Sequence, residues 1–389
     1  MLEWLERAES DSVFLDDGSR RLTYGEAAAR LADLHARGGP LRPEATIDGV
    51  LEVLAAASRG TAVLVGPGQP DPPPPTGRGP GFLLFTSGTS GPAKPVFLSW
   101  GNWAAAAAAS MAHLAHDVDD VWLQAMPLHH VAGLGIVLRS AYAGGSVRLL
   151  DRFEPVGYAA ALRQVTLASV VPTMLKRVLD LDPVPYSGLR AVLVGGGPIP
   201  EGLLERAATV GIPALPTYGM TETCGQAATL MPGSPLVRHA HPLPGVEVRI
   251  DDGRIDLKGE MISADVTDDE GWFHTGDLGE IDDDGAIRVL GREDDMIITG
   301  GENVSPAAVE AALLRIDGVD SVVVLGVPSA RWGSEVVAVY VGSAAPESLK
   351  SADLPSYALP KRQVKVDAIP VTALGKPDRS ALQELFLEG

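Results

Sequence analysis

The chain has 389 residues, of which 46% are hydrophobic, and a formal charge of -19 at neutral pH. This length predicts two or three domains. The acidic balance argues against binding to nucleic acid or to an anionic membrane, because both need a basic face. The lone cysteine, Cys224, excludes an intramolecular disulfide, so we expect a cytoplasmic protein. We expect no membrane insertion, since no apolar run approaches the roughly 20 residues that a span needs.

The predicted elements begin with a helix at Thr23, where Glu26 three residues later completes a capping-box pattern. A second helix is predicted over 47–57 and a strand over 62–65. Seven of the 16 residues in 66–81 are proline, which indicates an extended connector.

Residues 86–94 read TSGTSGPAK and lie between two short apolar runs that predict buried strands. Glycines let backbone N–H groups approach a ligand, hydroxyls donate hydrogen bonds and lysine adds a positive charge. The stretch therefore predicts a polyphosphate loop, with a ligand-free hairpin loop as the simpler alternative. It is not a Walker A loop, since no Gly-Lys-Ser/Thr follows. The candidate ligands are Thr86, Ser87, Gly88, Thr89, Ser90, Gly91 and Lys94.

Strand and helix patterns alternate between residues 99 and 218, which predicts a parallel α/β sheet. Ligands of such sheets bind beyond the carboxyl ends of the strands. Residues 129–130, 172–173, 195–197 and 218–222 all follow predicted strands, as 86–94 does, so we expect one shared cleft. The glycines at 195–197 could alternatively form only a tight turn. From Pro244 the pattern indicates a small antiparallel β subdomain, and 294–389 predicts a separate α+β domain.

Five stretches appear together in chain order. They are TSGTSGPAK (86–94), TYGMTET (217–223), TGDLGEI (275–281), GREDDMIITGGENVSP (291–306) and GKPDR (375–379). With them the chain resembles the adenylate-forming superfamily of acyl-CoA synthetases, peptide-synthetase adenylation domains and beetle luciferases. GGGPIP (195–200), YGMTETCGQ (218–226), PLHHVAGL (127–134) and VPTML (171–175) look more like the o-succinylbenzoate–CoA ligases of menaquinone synthesis than like fatty-acyl or acetyl enzymes.

The resemblance implies a large N-terminal domain, 1–293, of doubly wound α/β sheets with a small β subdomain. A small mobile α+β domain, 294–389, would follow a hinge near Asp294. Only 85 residues precede the phosphate loop, so the N-terminal part looks shortened. Pro95 departs from the superfamily pattern and is expected to stiffen that loop.

The implied reaction is ATP-dependent ligation of a carboxylic acid to CoA through an acyl-adenylate, with Mg2+ as cofactor. The favoured acid is o-succinylbenzoate. The alternatives are another aryl or acyl acid, and an adenylation domain that loads a carrier protein. A nucleotide-binding pseudoenzyme is disfavoured because the expected charged residues are present. The expected partners are small molecules, and a homodimer is left open.

The resemblance also assigns residue roles. Lys376 would contact the carboxylate and the α-phosphate, Glu222 would bind magnesium, and Thr221 would bond phosphate. Tyr218 would stack on adenine, and Asp277 with Arg292 would hold the ribose. The remaining nucleotide contacts would come from Gly195, Gly196, Gly197, Thr217, Gly219 and Met220.

His130 matches a residue between the acyl pocket and the CoA tunnel, which makes it a catalytic and acyl-pocket candidate. The other acyl-pocket candidates are Thr173, Arg177, Gly196 and Gln226, and the CoA-channel candidates are Gly300, Gly301 and Trp332. A free ring carboxylate on the acid would need a cation or donors, for which Arg177, Lys176, Arg139 and Thr173 are the candidates. Cys224 is expected to be a pocket wall or core residue, because the chemistry needs no thiolate.

Overall fold

A computed structural model describes residues 1–34, 39–67, 69–72, 77–86, 94–181, 185–200, 202–235, 239–370 and 377–387, with the side chains of Ser380 and Leu387 excepted. Six of the predicted site residues lie outside the described residues: Ser87, Gly88, Thr89, Ser90, Gly91 and Lys376.

The described α-helices are Leu2–Arg7 (α1), Tyr24–Asp33 (α2), Ile47–Arg59 (α3), Trp100–Leu114 (α4), Val131–Ala143 (α5), Pro155–Leu162 (α6), Pro172–Leu179 (α7), Leu203–Thr209 (α8), Pro306–Leu313 (α9) and Arg379–Leu387 (α10). Short 3-10 helices lie at Thr221–Thr223 and Pro346–Ser351. The predicted capping box at α2 is confirmed: the Glu26 amide donates to the Thr23 hydroxyl at 3.2 Å, and the Thr23 amide donates to the Glu26 carboxylate at 3.0 Å.

A nine-stranded sheet forms the core of the N-terminal part. Its strands are Val13–Asp16 (β1), Arg21–Thr23 (β2), Val121–Gln124 (β6), Ser146–Leu149 (β7), Leu167–Val170 (β8), Ala191–Val194 (β9), Ala214–Tyr218 (β10), Ala228–Thr229 (β11) and His241–Pro242 (β12). The order is β12-β11-β10-β9-β8-β6-β7-β1-β2. The six strands from β10 to β1 in this order are parallel, which confirms the predicted α/β fold. All four residues of β9 are buried, as expected of a strand covered on both faces.

A three-stranded sheet carries the ends of the phosphate loop. It consists of Thr61–Val63 (β3), Gly81–Thr86 (β4) and Lys94–Ser99 (β5). Thr86 lies opposite Lys94 in the antiparallel β4–β5 pair. Pro95 lies in β5 at the sheet edge, where a missing N–H removes no bond from the sheet.

The predicted antiparallel subdomain is a four-stranded sheet of Glu247–Asp251 (β13), Arg254–Lys258 (β14), Phe273–Ile281 (β15) and Ile287–Arg292 (β16). Strand β15 runs without a break from Phe273 to Ile281. Its register shifts between Leu278 and Gly279, so the alternating pattern is interrupted without a break in the strand.

The C-terminal part is α+β, as predicted. It contains Ile297–Thr299 (β17), Glu302–Val304 (β18), Val319–Ser329 (β19), Gly333–Gly342 (β20) and Arg362–Lys365 (β21). Strands β18-β17-β20-β19 are consecutive in the sheet, and β21 pairs with β20. Leu313 of α9 packs on one side of this sheet in a cluster with Tyr340, and Leu382 of α10 packs in a second cluster with Val339. The domain limits at 293 and 294 stay a prediction.

Candidate active site

Tyr218, Asp277 and Arg292 meet beyond the carboxyl end of β10. The Tyr218 hydroxyl donates a 2.7 Å hydrogen bond to Oδ2 of Asp277. On the other side, Nη1 of Arg292 lies 3.5 Å from Oδ1 of Asp277. The last two residues face each other in the β15–β16 pair. One carboxylate is therefore held between a phenol and a guanidinium that come from different sheets.

The Tyr218 hydroxyl stays a donor in this arrangement. Burial raises the pKa of Tyr218 well above its ordinary value, and the negative charge of Asp277 raises it further. The phenol therefore keeps its proton, and Asp277 accepts.

Gly276 makes room for the arginine. Its φ is +72°, a conformation that favours glycine, and an added Cβ would lie 3.3 Å from Nη2 of Arg292. The TGD motif thus uses its glycine to let Arg292 approach Asp277.

The three-glycine turn lies next to the strand that carries Tyr218. A Cβ on Gly195 would lie 2.7 Å from Cγ2 of Thr217, whereas none of the described residues has an atom within 4 Å of such a Cβ on Gly197. This turn is therefore tight at its start and open at Gly197. The Thr217 hydroxyl lies 2.9 Å from that of Thr229, so it already has a partner inside the fold.

Glu222 lies on the 3-10 helix Thr221–Thr223, which packs against β4 and β5. Burial raises the pKa of Glu222, while Arg292 and Lys94 oppose that rise and Asp277 adds to it. The four charged groups therefore share one electrostatic environment. Within the described residues no three His, Cys, Asp or Glu side chains are grouped as a metal site. A single carboxylate suits Mg2+ held mainly by phosphate oxygens and water.

The loop from Met220 to Gln226 is closed by its own contacts. The Met220 amide donates to the Thr223 hydroxyl at 3.1 Å. A Cβ on Gly219 would lie 2.7 Å from Cα of Gln226, so the two ends of the loop touch. Gln226 is buried, and its side-chain amide donates to Thr229 at 2.6 Å. This compact turn sets where Thr221 and Glu222 lie.

His130 is the residue before the first turn of α5 and makes no side-chain capping bond, and its ring centroid lies 4.1 Å from that of His129. The adjacent Val131 lies against Gly225, since a Cβ on that glycine would be 3.4 Å from the valine methyl groups. His130 is thereby brought beside the Thr221–Gln226 turn. Cys224 is fully buried there and burial raises its pKa, in line with a core thiol.

Of the candidates for a second carboxylate, Arg139 is the one buried without a carboxylate partner among the described residues. Its Nη2 donates to the Cys224 carbonyl at 2.9 Å, and its Nε has no described hydrogen-bond partner. Burial lowers its pKa to about 10, so it remains a cation at neutral pH.

The other candidates are engaged or exposed. Lys176 pairs with Asp180 at 2.9 Å, and the guanidinium of Arg177 lies 5.4 Å from the centre of the Phe153 ring. Thr173 is exposed at the start of α7.

The predicted CoA-channel residues lie together on the C-terminal sheet. The Gly300 amide donates to the Trp332 carbonyl at 2.9 Å, and Gly300 and Gly301 both have positive φ. The indole of Trp332 covers Gly300, because a Cβ there would lie 3.0 Å from the ring. Asp294 lies between the end of β16 in the four-stranded sheet and the start of β17 in the C-terminal sheet.

Comparison with known proteins gives the family. The AMP-binding enzyme profile matches residues 5–263, and that of the AMP-binding enzyme C-terminal domain matches residues 308–376. The chain belongs to the AMP-binding enzyme family. The resemblance inferred from the motifs is thereby confirmed.

Two curated relatives carry the same name. The 2-succinylbenzoate–CoA ligase of Listeria monocytogenes serotype 4b is 36% identical over 326 residues, which cover 78% of this chain and 69% of the relative. The 2-succinylbenzoate–CoA ligase of Bacillus licheniformis is 37% identical over 330 residues, which cover 77% and 69%.

Solved structures agree with the fold. The o-succinylbenzoate CoA synthetase MenE of Bacillus subtilis, in complex with the acyl-adenylate intermediate OSB-AMP, has a TM-score of 0.81 at 26% identity and covers 98% of this chain and 97% of its own. MenE in complex with ATP and magnesium ion gives 0.82 at 26% identity, with 98% of both chains covered. ATP-bound MatB of Rhodopseudomonas palustris gives 0.85 at 23% identity, covering 99% and 98%, and supports the fold alone.

Some contacts at the site are made by residues outside the motifs recognised in the sequence. Ser263 and Asp265, in the β14–β15 connection, bond to Phe97 of β5, and Ser263 also bonds to Glu222. A lone serine or aspartate in a loop carries no sequence signal of such a role.

Among the described helices none is long and apolar enough to cross a bilayer.

Proposed function

We propose that this chain is an AMP-forming acid–CoA ligase that converts o-succinylbenzoate to o-succinylbenzoyl-CoA. The observation that carries the proposal is the convergence of Tyr218, Asp277 and Arg292, at 2.7 and 3.5 Å, in a chain 36% identical to a 2-succinylbenzoate–CoA ligase. Asp277 and its two partners suit the ribose of a nucleotide, because an ionised carboxylate is a hydrogen-bond acceptor and sugar hydroxyls are donors.

In the first step a substrate carboxylate oxygen attacks the α-phosphorus of ATP. A new C–O–P link forms, the bond to the bridging oxygen breaks, and pyrophosphate leaves with that electron pair. Two anions approach each other, so fixed positive charges must stabilise the transition state. Arg292 and Lys94, whose charges both reach Glu222, supply part of that field. Lys376, which lies outside the described residues, is proposed to contact the reacting carboxylate.

Glu222 is proposed to hold the magnesium ion that accompanies ATP. Bound there, Mg2+ would offset phosphate charge as pyrophosphate leaves. Glu222 is partly buried beside two cations, so it is positioned for ion binding without a cage of protein ligands. Thr221 on the same turn would bond phosphate.

Arg139 is proposed to recognise the ring carboxylate of the substrate. Arg139 is buried with no carboxylate partner in the part of the chain that the structure describes, which is costly, and a bound carboxylate would offset that cost. Its bond to Cys224 lies within the turn that carries Glu222 and Gln226. This places Arg139 ahead of Lys176, which already pairs with Asp180.

In the second step the CoA thiolate attacks the acyl carbon and AMP leaves. We propose that Gly300, Gly301 and Trp332 line the path of the CoA arm, and that rotation at Asp294 exchanges the C-terminal part between the two steps. The domain limits 1–293 and 294–389 belong to the same proposal, as does a cytoplasmic location, where ATP and CoA are available.

ATP–pyrophosphate exchange with a panel of acids tests the substrate. We expect o-succinylbenzoate to support exchange and 4-oxo-4-phenylbutanoate, which lacks the ring carboxylate, to support it at least tenfold less well, since a buried charge partner is worth about 2 kcal/mol or more. Exchange with a different aryl acid and none with o-succinylbenzoate would contradict the proposed substrate.

The second candidate is an adenylation domain that loads a carrier protein. The nucleotide-binding motifs favour this candidate, because they also occur in adenylation domains. These motifs serve both CoA ligation and carrier loading. Incubating the enzyme with ATP, the acid that it activates and either CoA or a phosphopantetheinylated carrier separates the two candidate functions. We expect the CoA thioester, and product on the carrier alone would reverse the assignment.

A further inference from the structure

Among the described residues, the outer edge of β5 is bonded to a loop and not to another strand. The Phe97 amide donates to Oδ2 of Asp265 at 3.1 Å, and the Phe97 carbonyl accepts from the Ser263 hydroxyl at 2.8 Å. Two side chains thus bond to this edge, where the strands that the structure describes provide no partner. The Asp265 amide also donates to the Ser263 hydroxyl at 3.2 Å, which joins the two side chains into one unit.

The same unit reaches Glu222. The Ser263 amide donates to the Glu222 carbonyl at 2.9 Å, so one residue bonds both to β5 and to the turn that carries the carboxylate. Ser263 is fully buried, and the helix Thr221–Thr223 packs directly on β4 and β5.

Arg78 also binds Asp265. Nη1 of Arg78 donates to Oδ1 of Asp265 at 2.8 Å, and its guanidinium lies 5.1 Å from the centre of the Phe97 ring. Asp265 is thereby held from both sides. The side-chain amide of Asn102 donates to the carbonyls of Glu260 and Ile262, at 2.8 and 2.9 Å, and fixes the start of the same loop.

We propose that Ser263 and Asp265 are positioning residues that fix Glu222 relative to β5 and thereby set the Mg2+ affinity of the ATP complex. The inference rests on the proposed function, because it takes Glu222 as the magnesium ligand. Lys94 is the first residue of β5, and Phe97 lies in the middle of the strand. The strand therefore carries a proposed phosphate-binding cation at one end and, in its middle, the contact with Ser263 that leads to Glu222. A Mg2+ ion held by Glu222 would need the carboxylate at a constant distance from β5, since outer groups that orient metal ligands strongly affect affinity.

The test measures ATP binding by isothermal titration calorimetry at a series of Mg2+ concentrations. No acid is present, so nothing is turned over and the result is independent of the acid that the enzyme uses. We expect Ser263→Ala and Asp265→Asn to raise the Mg2+ concentration needed for half-maximal enhancement of ATP affinity by about tenfold. Ser263→Thr keeps the hydroxyl and should restore most of the affinity.

Ser146→Ala is the matched control. The Ser146 hydroxyl donates to the Val13 carbonyl at 2.6 Å and ties β7 to β1, which carry none of the proposed site residues. The Ser146→Ala change should lower the free energy of unfolding about as much as Ser263→Ala does, and it should leave the Mg2+ dependence of ATP binding unchanged. Glu222→Gln serves as the reference for full loss of the metal ligand.

An equal Mg2+ response in Ser263→Ala, Asp265→Asn and the Ser146→Ala control would overturn the inference. So would a Glu222→Gln variant that responds to Mg2+ as the wild type does, because the carboxylate would then not bind the ion. Absence of pyrophosphate exchange with o-succinylbenzoate would instead contradict only the proposed substrate.

Discussion

The phenol of Tyr218 and the carboxylate of Asp277 are joined by a 2.7 Å hydrogen bond between residues 59 positions apart. This bond ties strand β10 of the nine-stranded sheet, which ends at Tyr218, to the small antiparallel sheet that contains Asp277. The proposed adenine-stacking residue and the proposed ribose ligand therefore form one unit, and a change in either should alter the other.

Tyr218→Phe tests this coupling. The ring that would stack on adenine is kept, while Asp277 loses a charge-assisted hydrogen bond worth about 1.5–3 kcal/mol. We expect ATP affinity, measured by calorimetry, to fall about tenfold. The loss on replacing ATP with 2′-deoxy-ATP should be smaller in the variant than in the wild type, because Asp277 is already misplaced. Equal losses in both proteins would show that the phenol does not orient Asp277.

Arg139→Met tests recognition of the ring carboxylate. The change removes the charge and keeps much of the side-chain volume in a buried site. We expect KM for o-succinylbenzoate to rise about 100-fold, as for loss of a buried charge partner, and KM for 4-oxo-4-phenylbutanoate to change little. Lys176→Met should have no such selective effect, since Lys176 pairs with Asp180. A similar rise for both acids with Arg139→Met would argue for a purely structural arginine.

The sequence predicted the site best where a motif lies at the end of a strand. The parallel pattern placed Tyr218 and the glycines at 195–197 at the same sheet edge, and the two strands that flank residues 86–94 followed from two apolar runs. These features are local, so residue type and period carry them.

The contacts that hold the site together could not be predicted in this way. Ser263 bonds to Phe97 across 166 positions and Arg139 bonds to Cys224 across 85. Each depends on how elements far apart in the sequence pack together, and neither Ser263 nor Arg139 differs in type or spacing from ordinary loop or helix residues.

Lys376→Ala should separate the two half-reactions. The resemblance assigns this lysine to the first step only, so pyrophosphate exchange should fall at least 100-fold, in line with loss of a charge that stabilises the transition state. Thioester formation from chemically supplied acyl-adenylate and CoA should stay within a fewfold of the wild type. Equal loss of both activities would count against the assigned role.

Glu310 should make the stability of the C-terminal part depend on pH. Burial raises the pKa of this carboxyl to about 7, against the opposing effects of the Val324 amide bond and of Arg379, which lies 3.7 Å away. An acid whose pKa is raised in the folded state keeps its proton there while the unfolded chain has lost it. The free energy of unfolding therefore falls as the pH rises from about 4.5 to about 7.

Glu310→Gln removes this titration and keeps an oxygen that can accept from the Val324 amide. We expect urea unfolding of the wild type to lose about 2–3 kcal/mol relative to the variant between pH 5 and pH 8, because one pKa unit corresponds to about 1.4 kcal/mol. The variant should be the more stable protein at pH 8 if the two are matched at pH 5. Parallel stability curves for the two proteins across this range would mean that Glu310 is ionised in the fold at both ends, with Arg379 outweighing its burial.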